Sequence, residues 1–437
     1  MAVRLGGGQG FYGDGLDPVA DLLDAGVDYL VCEALAELTL AILQKDRQRD
    51  EALGYTRDLP AYVQLAVDVL VDGRTKLVTN AGGINPIAAG RAVIDALRSK
   101  GATGLTVATV VGDDVRPLGA ELGLPADALF AAAYLGARPI VDALGMGADV
   151  VVTGRVADAS LFVAPLVHEL GWAWDDWDRL AAGVVTGHLL ECSGQVTGGN
   201  YSGPWWENPD PVRVAFPIAE CEEDGSAVIT KPKGTGGMVT FDTVREQLLY
   251  EVHDPAAYLN PDVVADFTSL TLTDEGDDRV RVTGTKGRPA PATYKGLVCT
   301  PAGWAGEARF AYSWPDAEAK ARAAVRFLRE RARRAGLAVD EWHEEYFGVN
   351  AYGGPTVDAL SDEPPEVIGR LAWRASDPAI VAAVGRGSGV LGLSGPPTIS
   401  GTGRGRNGGP TQLLSVEPFF VDRAVVDARV RVDVEVV

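Results

Sequence analysis

Through residue 160 the chain alternates short apolar runs with segments of helical spacing. Val3 to Leu5 leads into Gly6-Gly7-Gly8, and a helix is predicted from about Pro18 to Ala25. Val27 to Cys32 reads as a buried strand, because it is short, apolar and bracketed by Gly26 and Glu33. Lys76 to Thr79 runs into Asn80-Ala81-Gly82-Gly83; Pro86 to Lys100 is helical, Leu105 to Val111 is the next strand, and Asp149 to Thr153 closes the series. Such alternation implies a mostly parallel sheet covered by helices. An open sheet and an incomplete barrel both satisfy the pattern; the unequal helical insertions favour the open sheet.

After about residue 205 the pattern changes to β-prone runs separated by acidic or glycine turns: Val212 to Ile218, Ala227 to Lys231, Val280 to Thr283 and Leu297 to Thr300. One helix interrupts them, from about Asp316 to Ala335, with Ala321, Val325, Leu328 and Ala332 at helical spacing. Residues 412 to 437 alternate as a half-buried strand does. The expected organisation is an N-terminal α/β domain over residues 1–204 and an α+β domain over 205–437, a length too great for one ordinary domain.

Composition adds exclusions. Sixty acidic side chains against 39 basic ones give a formal net charge of −21, which repels nucleic acid and anionic membrane. Apolar stretches fall short of the roughly 18 residues a membrane span needs, and the N-terminus lacks the basic and apolar regions of a signal peptide. Four cysteines without a C-x-x-C pair suit a reducing compartment and argue against a zinc ribbon or iron–sulfur cluster. A cytoplasmic protein is expected.

In open α/β sheets, ligands sit beyond the carboxyl ends of the strands. Three loops qualify: Gly6 to Gly10 with Asp14, Asn80 to Asn85 with Gly82 and Gly83, and Thr153 to Asp158. The first misses the dinucleotide spacing, so no redox cofactor is expected. In the third, Arg155 could hold a carboxylate or thioester carbonyl while Asp158 moves a proton; the competing reading has Asp158 capping a helix. His188 and Glu191 share one helical face. Acid–base work, or a satisfied core histidine, fits them, and a zinc site would need a third ligand from elsewhere, so no metal is assigned. His253 precedes Asp254-Pro255, where a turn role competes with catalysis. Lys231, Lys233, Gly234, Gly236 and Gly237 form a cationic glycine loop suited to a phosphate or carboxylate. The arginines of the 316–335 helix read as a solvated face or as a surface for the phosphates of coenzyme A.

These segments also carry a resemblance. Gly154 to Ser160 continuing to His168-Glu169-Leu170-Gly171-Trp172, Gly187 to Cys192 with Gly198-Gly199-Asn200, and above all Lys231 to Gly237 followed by Thr243 to Pro255, resemble the acyclic terpene utilisation protein A family. The matching motifs reach from the N-terminus to about residue 300. The family is named for gene clusters that degrade citronellol and geraniol, where intermediates travel as branched acyl-CoA thioesters. The resemblance therefore implies a small-molecule carboxylate or thioester as substrate, with coenzyme A entering only as part of it, and hydration, dehydration or carbon–carbon lysis as the reaction. Asp158, His188, Glu191 and His253 are the expected acids and bases; Arg155, Asn80, Gly82, Gly83 and the lysine–glycine loop are the expected binding groups. Relatives carry, or are accompanied by, a small extra C-terminal domain, so a separate small partner subunit is an open expectation, as is a homo-oligomer. A partner-dependent non-catalytic subunit and a tailoring enzyme of secondary metabolism remain the competing classes. The site is expected in an interdomain cleft, with Arg155, Asp158, His188 and Glu191 converging on one pocket.

Overall fold

The computed structural model describes residues 2–349, 351–352, 363–401 and 409–437. It divides into two compact units: unit 1 comprises Met1–Cys299 and Val416–Val437, and unit 2 comprises Thr300–Ser415.

Unit 1 is built on the strands β1 (Val3–Gln9), β2 (Tyr29–Cys32), β3 (Lys76–Thr79), β4 (Thr106–Val111), β5 (Phe130–Ala133) and β6 (Val150–Thr153). Five of them lie parallel in the order β1-β2-β3-β6-β4. Strands such as YLVC and VVVT are buried along their whole length, as parallel strands covered on both faces are. The helices are α1 (Asp17–Asp24), α2 (Glu37–Arg49), α3 (Leu59–Val71), α4 (Pro86–Ser99), the short α5 (Gly119–Leu122), α6 (Arg138–Gly145), α7 (Ser160–Leu170), α8 (Trp177–Leu190) and α9 (Phe241–Leu249). Apolar residues of α1, α3 and α4 form one core against the sheet, and those of α6, α7 and α8 form another. Helix starts follow local chemistry: Asn85 accepts from Ala88 N ahead of Pro86, and Asp176 accepts from Arg179 N to open α8.

The expected break near residue 204 falls inside unit 1. Strands β7 (Ile218–Cys221) and β8 (Ala227–Thr230) extend the same sheet, β7 pairing antiparallel with β1. The strands Arg279–Thr283 and Thr271–Gly276 continue it outward. At the opposite edge the chain's last strand, Arg431–Val436, pairs antiparallel with β4. The change of pattern after residue 205 is thus a change of strand direction within one sheet. Val212 to Pro217, expected as strand, is irregular up to Ile218.

Gly6-Gly7-Gly8 lies within β1 and is not a loop. A Cβ on Gly7 would stand 2.6 Å from the Leu190 carbonyl and one on Gly8 2.4 Å from Leu30, so these glycines let the end of α8 and strand β2 close on β1.

Unit 2 is α+β. Its sheet pairs residues 304–313 with Glu366–Ala375, which also pairs with Glu341–Phe347. The helix Ala317–Arg334 packs Ala321, Val325, Leu328 and Ala332 into this unit's core. Its arginines face solvent: Arg333 and Arg334 bridge Glu330, and Arg322 bridges Glu318 while stacking on Tyr346. Among the described residues no helix is long and apolar enough to cross a membrane.

Candidate active site

The carboxyl ends of the parallel strands hold a concentration of charged and polar groups. Helix α4 follows β3 onto one face and α7 follows β6 onto the other, although β3 and β6 are neighbours. A crevice forms where successive connections diverge in this way. Asn80, Ala81 and Gly82 leave β3 on one side of it; Gly154 and Arg155 leave β6 on the other. The crevice floor is closed by backbone, because a Cβ on Gly82 would stand 2.3 Å from the Thr153 carbonyl.

Arg155 is 1% exposed. Its Nε and Nη2 donate to the Val156 carbonyl, its Nη1 to the Leu35 carbonyl at 2.7 Å, and its Nη2 also to Asp158 Oδ1. Its plane lies 4.2 Å from the Tyr134 ring. Only one of the guanidinium's five hydrogens stays uncommitted, so Arg155 positions the loops after β2 and β6 and fixes Asp158. The expected carboxylate clamp has few donors left to give. Asp158 does not cap α7, whose N-cap is Ala159; its carboxylate turns to Arg155 instead.

Glu33, directly after β2, is buried. Its Oε1 accepts from Leu35 N at 2.6 Å and from Asn80 Nδ2 at 2.9 Å, while Asn80 Oδ1 accepts from Ala34 N. Burial, and then the charge of Asp158, hold its carboxyl well above the usual range. Asp158 is pushed up to about 7 by burial, with Glu191 raising it further against the pull of Arg155. Its side chain still keeps 38% of its surface open, so solvent screens part of that rise and gives this acid access to water. Asp113, after β4, accepts from Arg155 N at 2.8 Å and is likewise pushed up to about 7 by burial. At the rim, Glu37 accepts from Tyr134 Oη and from Lys295.

His188 and Glu191 pair as their spacing predicts, Nδ1 to Oε1 at 3.0 Å. His188 Nε2 lies 3.0 Å from the Gln247 carbonyl. A carbonyl only accepts, so Nε2 carries hydrogen. The ring is held between Tyr258 and Phe267, with centroids 5.6 and 5.4 Å away. Glu191 Oε2 is buried and has no hydrogen-bond partner. It belongs to the same electrostatic neighbourhood as Asp158 and Tyr258, since its charge raises both.

The remaining expected residues lie apart. Lys231 is buried, donates to the Thr235 carbonyl and pairs with Asp278 at 3.1 Å. Lys233 and Gly234 are exposed, and Gly236 and Gly237 are pressed against the carbonyls of Arg213 and Thr197. Gly83, at φ 56°, meets Leu43 and the Gly54 carbonyl. His253 is exposed on a turn in which Asp254 Oδ1 accepts from Ala256 N. All of these residues fall in unit 1, so the group forms within one unit. Sequence reasoning missed Glu33, Asp113, Tyr134 and Gln247. Glu33 and Asp113 had a readable signal, each an acid just past a short, mostly apolar strand. Cavities of 690, 500 and 300 Å³ open elsewhere on unit 1.

A family model described as acyclic terpene utilisation family protein AtuA matches residues 3–432. No curated protein and no solved structure matches the chain.

Proposed function

Because the chain belongs to the acyclic terpene utilisation family, we propose that it is a cytoplasmic lyase that hydrates or dehydrates a branched acyl thioester or related carboxylic acid, using the carboxyl groups of Asp158 and Glu191 as acid and base. The observation that carries this reading is a raised carboxyl, that of Asp158, in the same electrostatic neighbourhood as a buried, unpartnered oxygen of Glu191. Burial raises the Asp158 carboxyl to about 7, and Glu191 Oε2 is buried with no donor among the described residues. In dehydration, Glu191 Oε2 takes the proton from the carbon next to the carbonyl. Asp158 gives its proton to the β-hydroxyl, which leaves as water. One C–H and one C–O bond break, a C=C bond forms, and no oxidant enters. Asp158 regains a proton through its open edge, and Glu191 returns its own. His188 is a positioning residue that aims Oε2 by holding Oε1. Carbon–carbon lysis of a β-hydroxy acyl group would use the same pair with Glu191 taking the hydroxyl proton.

The test is turnover of a branched β-hydroxyacyl thioester, followed by absorbance of the unsaturated product. Glu191→Gln is expected to lower kcat by about 100-fold or more while preserving shape. The parent's rate is expected to fall as pH rises through about 7, a limb that Asp158→Asn abolishes along with most of the rate. Full turnover by Glu191→Gln refutes the assignment. A chain inert alone but active with a small added subunit would favour the partner-dependent class.

A further inference from the structure

From the largest of the three cavities we infer a phosphate-binding site: a groove of 690 Å³ between α2, the start of α4 and the segment around Arg116 holds the phosphate group of the molecule that reacts at Asp158 and Glu191. This rests on the reading above for what reacts, and on separate observations for what binds.

The groove is lined by Arg47, Arg91 and Arg116, together with Tyr55 and with Glu51 and Asp95 as its carboxylates. In a chain of net charge −21 its lining is net positive by one. None of the three guanidinium groups meets a carboxylate among the described residues. Arg47 donates to the Ile84 carbonyl at 2.8 Å and Arg116 to the Leu129 carbonyl at 3.0 Å. Those contacts hold two arginines in place without an ion pair. Elsewhere arginines of this chain pair with acids, as Arg57 does with Asp46 and Arg370 with Glu307 and Glu345. Three arginines converging without acid partners suit an anion with several oxygens, which planar donors grip two at a time. The N-terminus of α4, at Asn85 and Pro86, opens onto the same groove and adds a favourable field.

Three segments join the groove to the acid–base cluster. Helix α2 places Glu37 at the cluster's rim and Arg47 in the groove. The loop after β3 places Asn80 in the cluster and Asn85 in the groove. The segment after β4 places Asp113 in the cluster and Arg116 in the groove. Along α2 the ten residues from Glu37 to Arg47 span about 15 Å. A substrate that reacts at one end and carries phosphate on a long arm fits this span, as a phosphopantetheine thioester does; a short free acid does not reach.

Calorimetric titration of the full chain with inorganic pyrophosphate and with coenzyme A tests the assignment. Both should bind at one site, coenzyme A more tightly, and both should weaken about tenfold or more in Arg91→Ala/Arg116→Ala; added salt should weaken both. Glu191→Gln should bind them as the parent does. Failure of either to bind, or full binding by the double variant, overturns the groove. Coenzyme A binding no more tightly than pyrophosphate also overturns it, because the site would then serve free phosphate. These outcomes are independent of turnover. Loss of the groove leaves the acid–base reading to the Glu191→Gln rate, and an unchanged rate in that variant removes the acid–base reading while pyrophosphate binding stands.

Discussion

Asp113→Asn isolates the cost of burying acid at this site. Asp113 is 4% exposed, and burial raises its carboxyl from 3.8 to about 7. Between those values the folded chain binds a proton that the unfolded chain has released. Stability therefore falls as pH rises from about 4 to about 7, and the loss is complete above the folded value. At about 1.4 kcal/mol per pH unit the whole effect is about 4 kcal/mol; roughly 3 kcal/mol of it lies between pH 5 and pH 8. Asparagine keeps the size and the oxygen that accepts from Arg155 N, and it has no proton to lose. In urea unfolding at pH 5 and pH 8, the variant should gain roughly 3 kcal/mol on the parent between the two conditions. Other titrating groups cancel in that double difference. A parent–variant difference that stays constant between pH 5 and pH 8 would falsify the claim that Asp113 is held neutral by burial.

Two further predictions separate structural roles from ligand roles. Gly83→Ala forces a side chain onto φ 56° and into Leu43 and the Gly54 carbonyl; the melting temperature should drop, by a loss of roughly 1–3 kcal/mol, and an unchanged melt would return Gly83 to the ligand-contact role first expected of it. Lys231→Met removes a buried lysine from its pair with the partly exposed Asp278 and should cost about 1–3 kcal/mol while leaving KM for the thioester unchanged; a raised KM with unchanged melting would restore the lysine as a substrate contact.

Much of the framework was legible in the sequence, for a local reason. Short apolar runs bounded by glycine or acid have few alternatives to a buried strand, and Lys76–Thr79 was read to the residue. The helical spacing of His188 and Glu191 was enough to pair them. What stayed hidden depends on distant partners. Nothing local says that Arg431–Val436 closes the edge beside β4, or that β7 turns back along β1. The change of pattern after residue 205 therefore looked like a domain boundary. Gly6-Gly7-Gly8 looked like a loop because the chain that presses on it lies far away, at Leu190. Arg155 stands out in the sequence as a charge just after a buried strand, yet its hydrogen bonds to Leu35 and Val156 decide its work, and those follow only from the fold.

The same contacts explain why the acids are where they are. An isolated buried carboxylate is costly, and a protein lowers that cost by neutralising or pairing it. Here the Arg155 guanidinium supplies a single positive charge for Glu33, Asp158 and, as a smaller effect, Asp113, so the acids cannot all ionise at neutral pH. A core selected only for stability would have little use for such a group, because well-packed apolar residues replace buried charge without loss. Glutamine at Glu33 could accept from Leu35 N and Asn80 as the carboxyl does. Carboxyls at Asp113 and Asp158 add a removable proton near neutrality, which is the property an acid–base catalyst requires. The group lies in a crevice whose floor is sealed by Gly82 against Thr153, so substrate must approach from the rim where Glu37, Asp158 and Lys295 are exposed or partly exposed. Glu37 begins α2, and α2 leads along its length to Arg47 and the phosphate groove.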